Sequence, residues 1–493
     1  MFMSIVALFS QIAPYLFPAA IALLAIGLIF FRPFVIGLAI KLYGRFTKEE
    51  LKKFVTLAII FCLTIGVYWL LRPTKDGFFC KMSGASNIPV AKWVSLLFIF
   101  PLVIAYSKLV DQFPKHKVFY ALCGIYGTIA LIFAYFMFSP VYGVENIGKV
   151  ALANGALESR HNLAIGRYLG WAWYIFIESF GSLIVALFWS FTADTTTPES
   201  AKKGFGLIAL GGQLGGIFGP YFVFKYAENW GLGWMALVAG LGIFSIAASI
   251  KLFMTIIPQD ELTGYQAKDE TKEQKKHEKP KTGFFEGLKL LVSEPYLLCI
   301  FASISLYEII VTIFDFQMKA MASSNLESAG ALTAYLGEFG FWTNLMSFAC
   351  LLLGINSIGR KLGLTVALVL LPVLIAGAVG VLWISPTLSV VFWVMVFSKG
   401  INYALYQPSK EQLYIPTTKD TKYKAKAWTE MFGSRSSKAG GSAVNLLNKF
   451  MEPSMFIIIS SVLSLGLIGI WICCALYLGR THKKAVSENK VVC

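Results

Sequence analysis

Thirteen apolar runs of about twenty residues recur along a chain of 493, and they leave few ways to fold. A helix of ~20 residues crosses the hydrocarbon core of a bilayer. No water reaches the backbone there, so each run must satisfy its own amides as a helix. The runs are residues 12–31, 54–71, 90–110, 119–138, 171–192, 206–224 and 234–257, then 296–316, 334–355, 364–384, 388–406, 428–450 and 455–477. Only 14% of residues are charged and mean hydropathy is +0.67. The expected fold is all-α and polytopic.

The break between the two sets is 258–281, which holds six lysines and six acidic residues and little that is apolar. Such a segment is a solvated linker. It divides twelve core helices into six and six, with 12–31 as an extra helix at the front. That layout is major-facilitator-like, with a site expected between the halves near the midplane. The expected organisation is an extra helix and cytoplasmic connector over 1–53 and a first half over 54–257. The linker follows over 258–283, then a second half over 284–479 and a tail over 480–493.

Lysine and arginine placement sets the sidedness. Lys115 and Lys117, Lys202 and Lys203, the linker, Arg360 and Lys361, the 410–426 block and the tail fall in one set of alternate loops. That set is expected in the cytoplasm, with Met1 on the far side. The formal charge of +16 is read in the same way, as loop bias and not as a nucleic-acid surface. Run 12–31 lacks a basic leader and a small-residue cleavage site, so it reads as a retained helix.

Enzyme chemistry finds no footing. Cys62, Cys123, Cys299, Cys350, Cys473 and Cys474 lie in apolar runs, where cysteine acts as a small hydrophobe. His116, His161, His277 and His482 are scattered, and no phosphate loop, dinucleotide fingerprint or nucleophile elbow is present. No metal and no cofactor are expected. The glycine-rich run 204–219 lacks the strand of a phosphate loop and reads as a helix-packing face.

Charges inside the apolar runs carry the functional signal, because they are costly in lipid and mark substrate paths. Lys75 and Asp76 follow run 54–71 in Leu71-Arg-Pro-Thr-Lys-Asp-Gly77. Either the helix ends there, or it continues distorted with Lys75 in a cavity. Glu178 has apolar residues on both sides and needs a cation. Glu308 and Asp315, seven apart, share a helix face, and Lys319 stands four residues beyond Asp315 as a simple pairing partner. Lys410 sits between Pro408 and Pro416 in an expected irregular stretch, and Arg435 and Lys438 are three apart among glycines. Several cations together favour a polyanion, since lysine holds phosphate as a point charge and arginine as a fork.

In order along the chain, Thr74-Lys-Asp-Gly-Phe78, Glu178-Ser-Phe-Gly-Ser182 with Ala186-Leu-Phe-Trp189, Ser398-Lys-Gly400, 409–416 and the glycine-framed Arg435 and Lys438 of 433–441 resemble the nucleotide transporters of plastids and intracellular bacteria. The resemblance spans about residues 54–450. It implies a twelve-helix carrier for ATP and ADP that depends on Lys75, Glu178 and Lys410. The chain departs from the family pattern at Asp315 (a glutamate there), Phe180 (a tryptophan), Gln407 (an aspartate) and Ala193-Asp194 (an Asn-Gln pair).

The expectation is therefore an ATP:ADP antiporter in a bacterial inner membrane, working as a monomer. Its substrate residues would be Lys75, Glu178, Asp315, Lys410, Arg435 and Lys438, with Tyr403 or Trp189 stacking on the base. The rivals are proton-coupled import of nucleotides or other organophosphates, with Glu178 or Asp315 taking the proton, and a non-transporting receptor or scaffold.

Overall fold

The structure is a computed structural model that describes residues 47–139, 149–151, 157–159, 164–258, 262, 284–352, 362–418, 425–426, 428–429, 433–488 and 490–492. The expected helix at 12–31 and nearly all of the linker lie outside these residues.

The first half comprises α1 Lys48–Phe79, α2 Ile88–Gln112, α3 Lys115–Phe138, α4 Ala164–Asp194, α5 Pro198–Trp230 and α6 Leu232–Ile256. The second holds a short α7 Phe284–Ser293, then α8 Pro295–Asn325, α9 Ala329–Leu352, α10 Leu364–Ile384, α11 Leu388–Ile401 continued by α12 Gln407–Leu413, α13 Ser434–Leu446 and α14 Pro453–Ser487. Two three-residue strands, Lys149–Ala151 and Leu157–Ser159, pair antiparallel between α3 and α4. The described residues thus form a major-facilitator-like bundle, six helices in the first half and six in the second with α7 set aside and α11–α12 taken as one, that spans the membrane many times.

Local chemistry sets the helix ends. Thr47 and Glu50 form a reciprocal capping box at the start of α1. Thr197 caps α5, where Pro198 occupies the first turn without losing a needed N–H. Gly231, with φ +81°, turns the chain between α5 and α6 in a conformation that favours glycine. α1 does not stop at Pro73: it carries Lys75 and Asp76 to Phe79, and a π-helical turn Cys80–Gly84 follows. α14 likewise continues past residue 479 to Ser487 instead of releasing a separate tail.

The glycine-rich run is the packing face it was expected to be. Gly211, Gly215 and Gly219, at four-residue spacing on α5, face the α1 backbone at Ala58, Cys62 and Gly66, with no room for a Cβ. Gly215→Leu is expected to lower the unfolding temperature and the monodisperse yield of the detergent-solubilised protein, since overpacking costs ~1–3 kcal/mol. Gly466→Leu, with nothing within 4 Å, is the control expected to change neither.

Each half has its own apolar core, and the cores trade members at one end. Phe79, Ile88, Ala91 and Tyr174 of the first half pack into the second-half core. The halves also meet along α5–α9 and α2–α13. At the end where α1 finishes, Lys81 Nζ donates to the Ser323 carbonyl at 2.9 Å and the Leu326 carbonyl at 2.6 Å, and Lys449 Nζ to Asn87 Oδ1 at 2.8 Å. These contacts close that end. From there the space between the halves extends toward the end where α1 begins, as far as Trp189 of α4, which packs on Phe61 of α1.

Candidate functional site

Between the halves lies a cavity of about 830 Å³. It is lined by α1, α2 and α4 of the first half, and by α8, the α11–α12 helix and α13 of the second. Seven cations (Arg72, Lys75, Lys92, Lys319, Lys399, Arg435 and Lys438) face it against four carboxylates (Asp76, Glu178, Glu308 and Asp315), an excess of three positive charges. Tyr68, Trp189, Tyr307 and Tyr403 supply aromatic wall.

At the closed end the charges form one chain. Glu178 of α4 contacts Lys75 of α1, which lies 3.6 Å from Asp76 and 4.4 Å from the centre of the Tyr174 ring. Asp76 pairs at 2.8 Å with Lys319 of α8, and Lys319 at 2.6 Å with Asp315 one turn earlier. Asp315 accepts from Lys399 of α11 at 3.0 Å and lies 3.9 Å from Lys92 of α2. The chain crosses between the halves twice, at Asp76–Lys319 and at Lys92–Asp315. Most members are nearly sealed, but the Glu178 side chain is 35% exposed and faces the cavity.

Toward the end where α1 begins the pairing thins. Glu308 accepts from Ser434 at 3.1 Å and lies 3.7 Å from Lys438, whose side chain is half exposed. Arg435 Nη2 donates to Ser182 Oγ across the halves at 3.3 Å. Arg72 lies over the Trp69 ring at 4.8 Å. Among the described residues neither guanidinium has a carboxylate partner.

Five of the six residues expected to bind substrate therefore share one cavity: Lys75, Glu178, Asp315, Arg435 and Lys438. Lys410 does not join them. The stretch expected to be irregular is helical, with a π-helical turn Asn402–Tyr406 leading into α12. Gln407 is the last residue of that helix to line the cavity, and Lys410, one turn on, is buried in protein beyond it. The pairing of Asp315 with Lys319 is real, but it is one link of a larger network and not an interfacial helix end.

Arg72, Lys92, Lys399, Asp76 and Glu308 line the cavity without being among the binding residues expected from the sequence. Each is a charge in or beside an apolar run, the signal that had singled out Glu178. Lys399 also lies in Ser398-Lys-Gly400, one of the stretches that carry the family resemblance.

Comparison with known proteins follows the same line. A family profile described as TLC ATP/ADP transporter matches residues 39–387 and 379–482. The chloroplastic ADP,ATP carrier protein 2 of Arabidopsis thaliana is 28% identical over 481 residues, covering 90% of this chain and 76% of that protein. ADP,ATP carrier protein 1 of Rickettsia typhi is 25% identical over 488 residues, covering 91% and 97%. Among solved structures, a bacterial homologue of the iron transporter ferroportin in an inward-facing state superposes with a TM-score of 0.58 at 11% identity, covering 86% of this chain and 99% of that one. A POT family transporter in complex with 5-aminolevulinic acid superposes with a TM-score of 0.55 at 10% identity, covering 86% and 96%. At such identities the structural likeness concerns the fold alone.

Proposed function

This chain belongs to the TLC ATP/ADP transporter family, and we propose that it exchanges ATP for ADP across a membrane by alternating access. The observation that carries the reading is the cavity between the halves, with its excess of cations. ATP and ADP bring several negative charges, which such a cavity can neutralise. We assign no chemical step. The complete cavity within one chain supports a monomeric carrier, and the intracellular-bacterial relatives support placing it in a bacterial inner membrane.

The mechanism follows from the ion-pair chain. Opening the closed end separates Asp76 from Lys319 and Lys92 from Asp315. Asp76 then keeps only Lys75 and Lys319 only Asp315, and Lys92 loses its carboxylate, so the separation is costly until the lost contacts are replaced. A bound nucleotide offsets this by presenting phosphate oxygens to the freed lysines. The ligand thereby interacts differently with the states it interconverts, which is the condition for driving them. Arg435 and Lys438 receive phosphate near the entrance, Lys75 and Glu178 exchange their mutual contact for substrate, and Asp315 holds the lysines between visits.

A competition panel tests the substrate. Uptake of labelled ATP by cells expressing the protein is expected to fall with excess ADP or ATP and to be unaffected by sugar phosphates. Equal inhibition by sugar phosphates points instead to a general organophosphate carrier.

A further inference from the structure

We infer that Arg72 is the first-half counterpart of Arg435, and that the two guanidiniums, one from each half, grip the phosphate chain between them. The inference deepens the proposed nucleotide exchange and rests on it.

Arg72 is built to hold an anion. It follows Trp69 by three residues on α1, so its guanidinium lies over the indole at 4.8 Å. Stacking covers one face of the fork and fixes its plane, leaving the N–H edge to bind. The shelf is itself fixed across the halves. A Cβ on Gly340 of α9 would lie 3.0 Å from the Trp69 ring, so the indole fills the space a side chain would need.

The N–H edge has no partner among the described residues. Among the described residues Arg72 makes no hydrogen bond and no ion pair. The carboxylates of the cavity are engaged elsewhere: Glu178 with Lys75, Asp76 and Asp315 with Lys319, and Glu308 with Ser434 and Lys438. A cation inside a membrane protein that touches no carboxylate marks a ligand path. At longer range the Arg72 charge acts on Asp76, Asp315 and Glu178 as well as on Lys75, Lys399 and Lys438, and among the described residues none of these lies within ion-pair distance of it. A planar fork with open donors suits phosphate oxygens in a way that a point charge does not.

Arg435 faces the same cavity from α13, and among the described residues it has one side-chain hydrogen bond, to Ser182, and no carboxylate partner. A phosphate chain that engages both guanidiniums ties α1 to α13 and pulls the halves together around it. Affinity then depends on the number of phosphates more than on the base.

The test is direct binding to the purified full-length protein in detergent, with labelled ATP displaced by ADP, AMP and inorganic tripolyphosphate. Arg72→Gln is expected to weaken ATP and tripolyphosphate by about 10- to 100-fold, the range for a lost charge-assisted hydrogen bond, and AMP by less. Arg72→Lys keeps the charge without the fork and is expected to fall between parent and Gln. Trp69→Leu removes the shelf and is expected to show a partial loss of the same pattern. If the parent binds ATP and either Arg72 variant binds ATP and tripolyphosphate as tightly, the inference is overturned while nucleotide transport stands. A parent that binds no nucleotide overturns the function itself.

Discussion

Asp315→Lys combined with Lys319→Asp is expected to abolish nucleotide exchange while the protein still inserts in the membrane. For an isolated pair one helical turn apart, reversal of both charges is nearly neutral, because the attraction survives. Here each partner has further ties. The new lysine would face Lys399 and Lys92, which now stand 3.0 Å and 3.9 Å from the Asp315 carboxylate. The new aspartate would face Asp76, now 2.8 Å from Lys319. Two clusters of like charge would form away from water. Breaking a single buried pair costs ~3–5 kcal/mol, which corresponds to a loss of about 100-fold or more in rate if it falls on the reorientation step. Asp315→Glu, which keeps the charge, is expected to retain substantial exchange. Uptake into vesicles, normalised to inserted protein, provides the comparison. A double reversal that transports like the parent would reduce Asp315 to a structural partner of Lys319.

Lys75→Gln is the second large effect. Lys75 is nearly sealed, held by Glu178 on one side and Asp76 on the other. Removing it leaves both carboxylates short of a cation and takes a positive charge from the cavity. Exchange is expected to fall by at least about 100-fold and the unfolding temperature to drop, as for any buried charge left without its partner. Adding Glu178→Gln is expected to restore much of the stability, since the stranded carboxylate is gone, but none of the transport. That split separates a working pair from a structural one. If the single Lys75→Gln variant exchanges nucleotides normally, Lys75 is not part of the substrate path.

The fold was largely legible in the sequence because lipid imposes a simple rule on apolar runs. Run 364–384 coincides with α10, where no charged residue interrupts it. The rule failed where helices turn charges toward the wet cavity. Run 54–71 stops at Arg72, yet α1 continues for two more turns to Phe79, because Arg72, Lys75 and Asp76 face the cavity and other helices instead of lipid. Run 296–316 stops short of Lys319 for the same reason, although α8 reaches Asn325. Hydropathy reads such a helix as ended when it has only changed its neighbours. The misplacing of Lys410 has a different origin. The π-helical turn at Asn402–Tyr406 inserts extra backbone into the helix and rotates everything after it, so facing cannot be extrapolated from residues 388–401 to α12. The partner of each buried cation was beyond reach as well, since Asp76 and Lys319 come from opposite halves and meet only once the halves are docked.

Strict counter-exchange follows from the ion-pair chain, and its measurement bears most directly on the central claim. The purified protein is reconstituted into liposomes that are preloaded with ADP, with ATP or with buffer alone, and labelled ATP is supplied outside. Rapid uptake is expected only into liposomes that hold a nucleotide, because the empty carrier must break the Asp76–Lys319 and Lys92–Asp315 pairs with nothing to replace them in order to reorient. An imposed proton gradient is expected to leave that uptake unchanged. Equal uptake into empty liposomes, rising with an inward proton gradient, would contradict exchange and make the protein a proton-coupled importer.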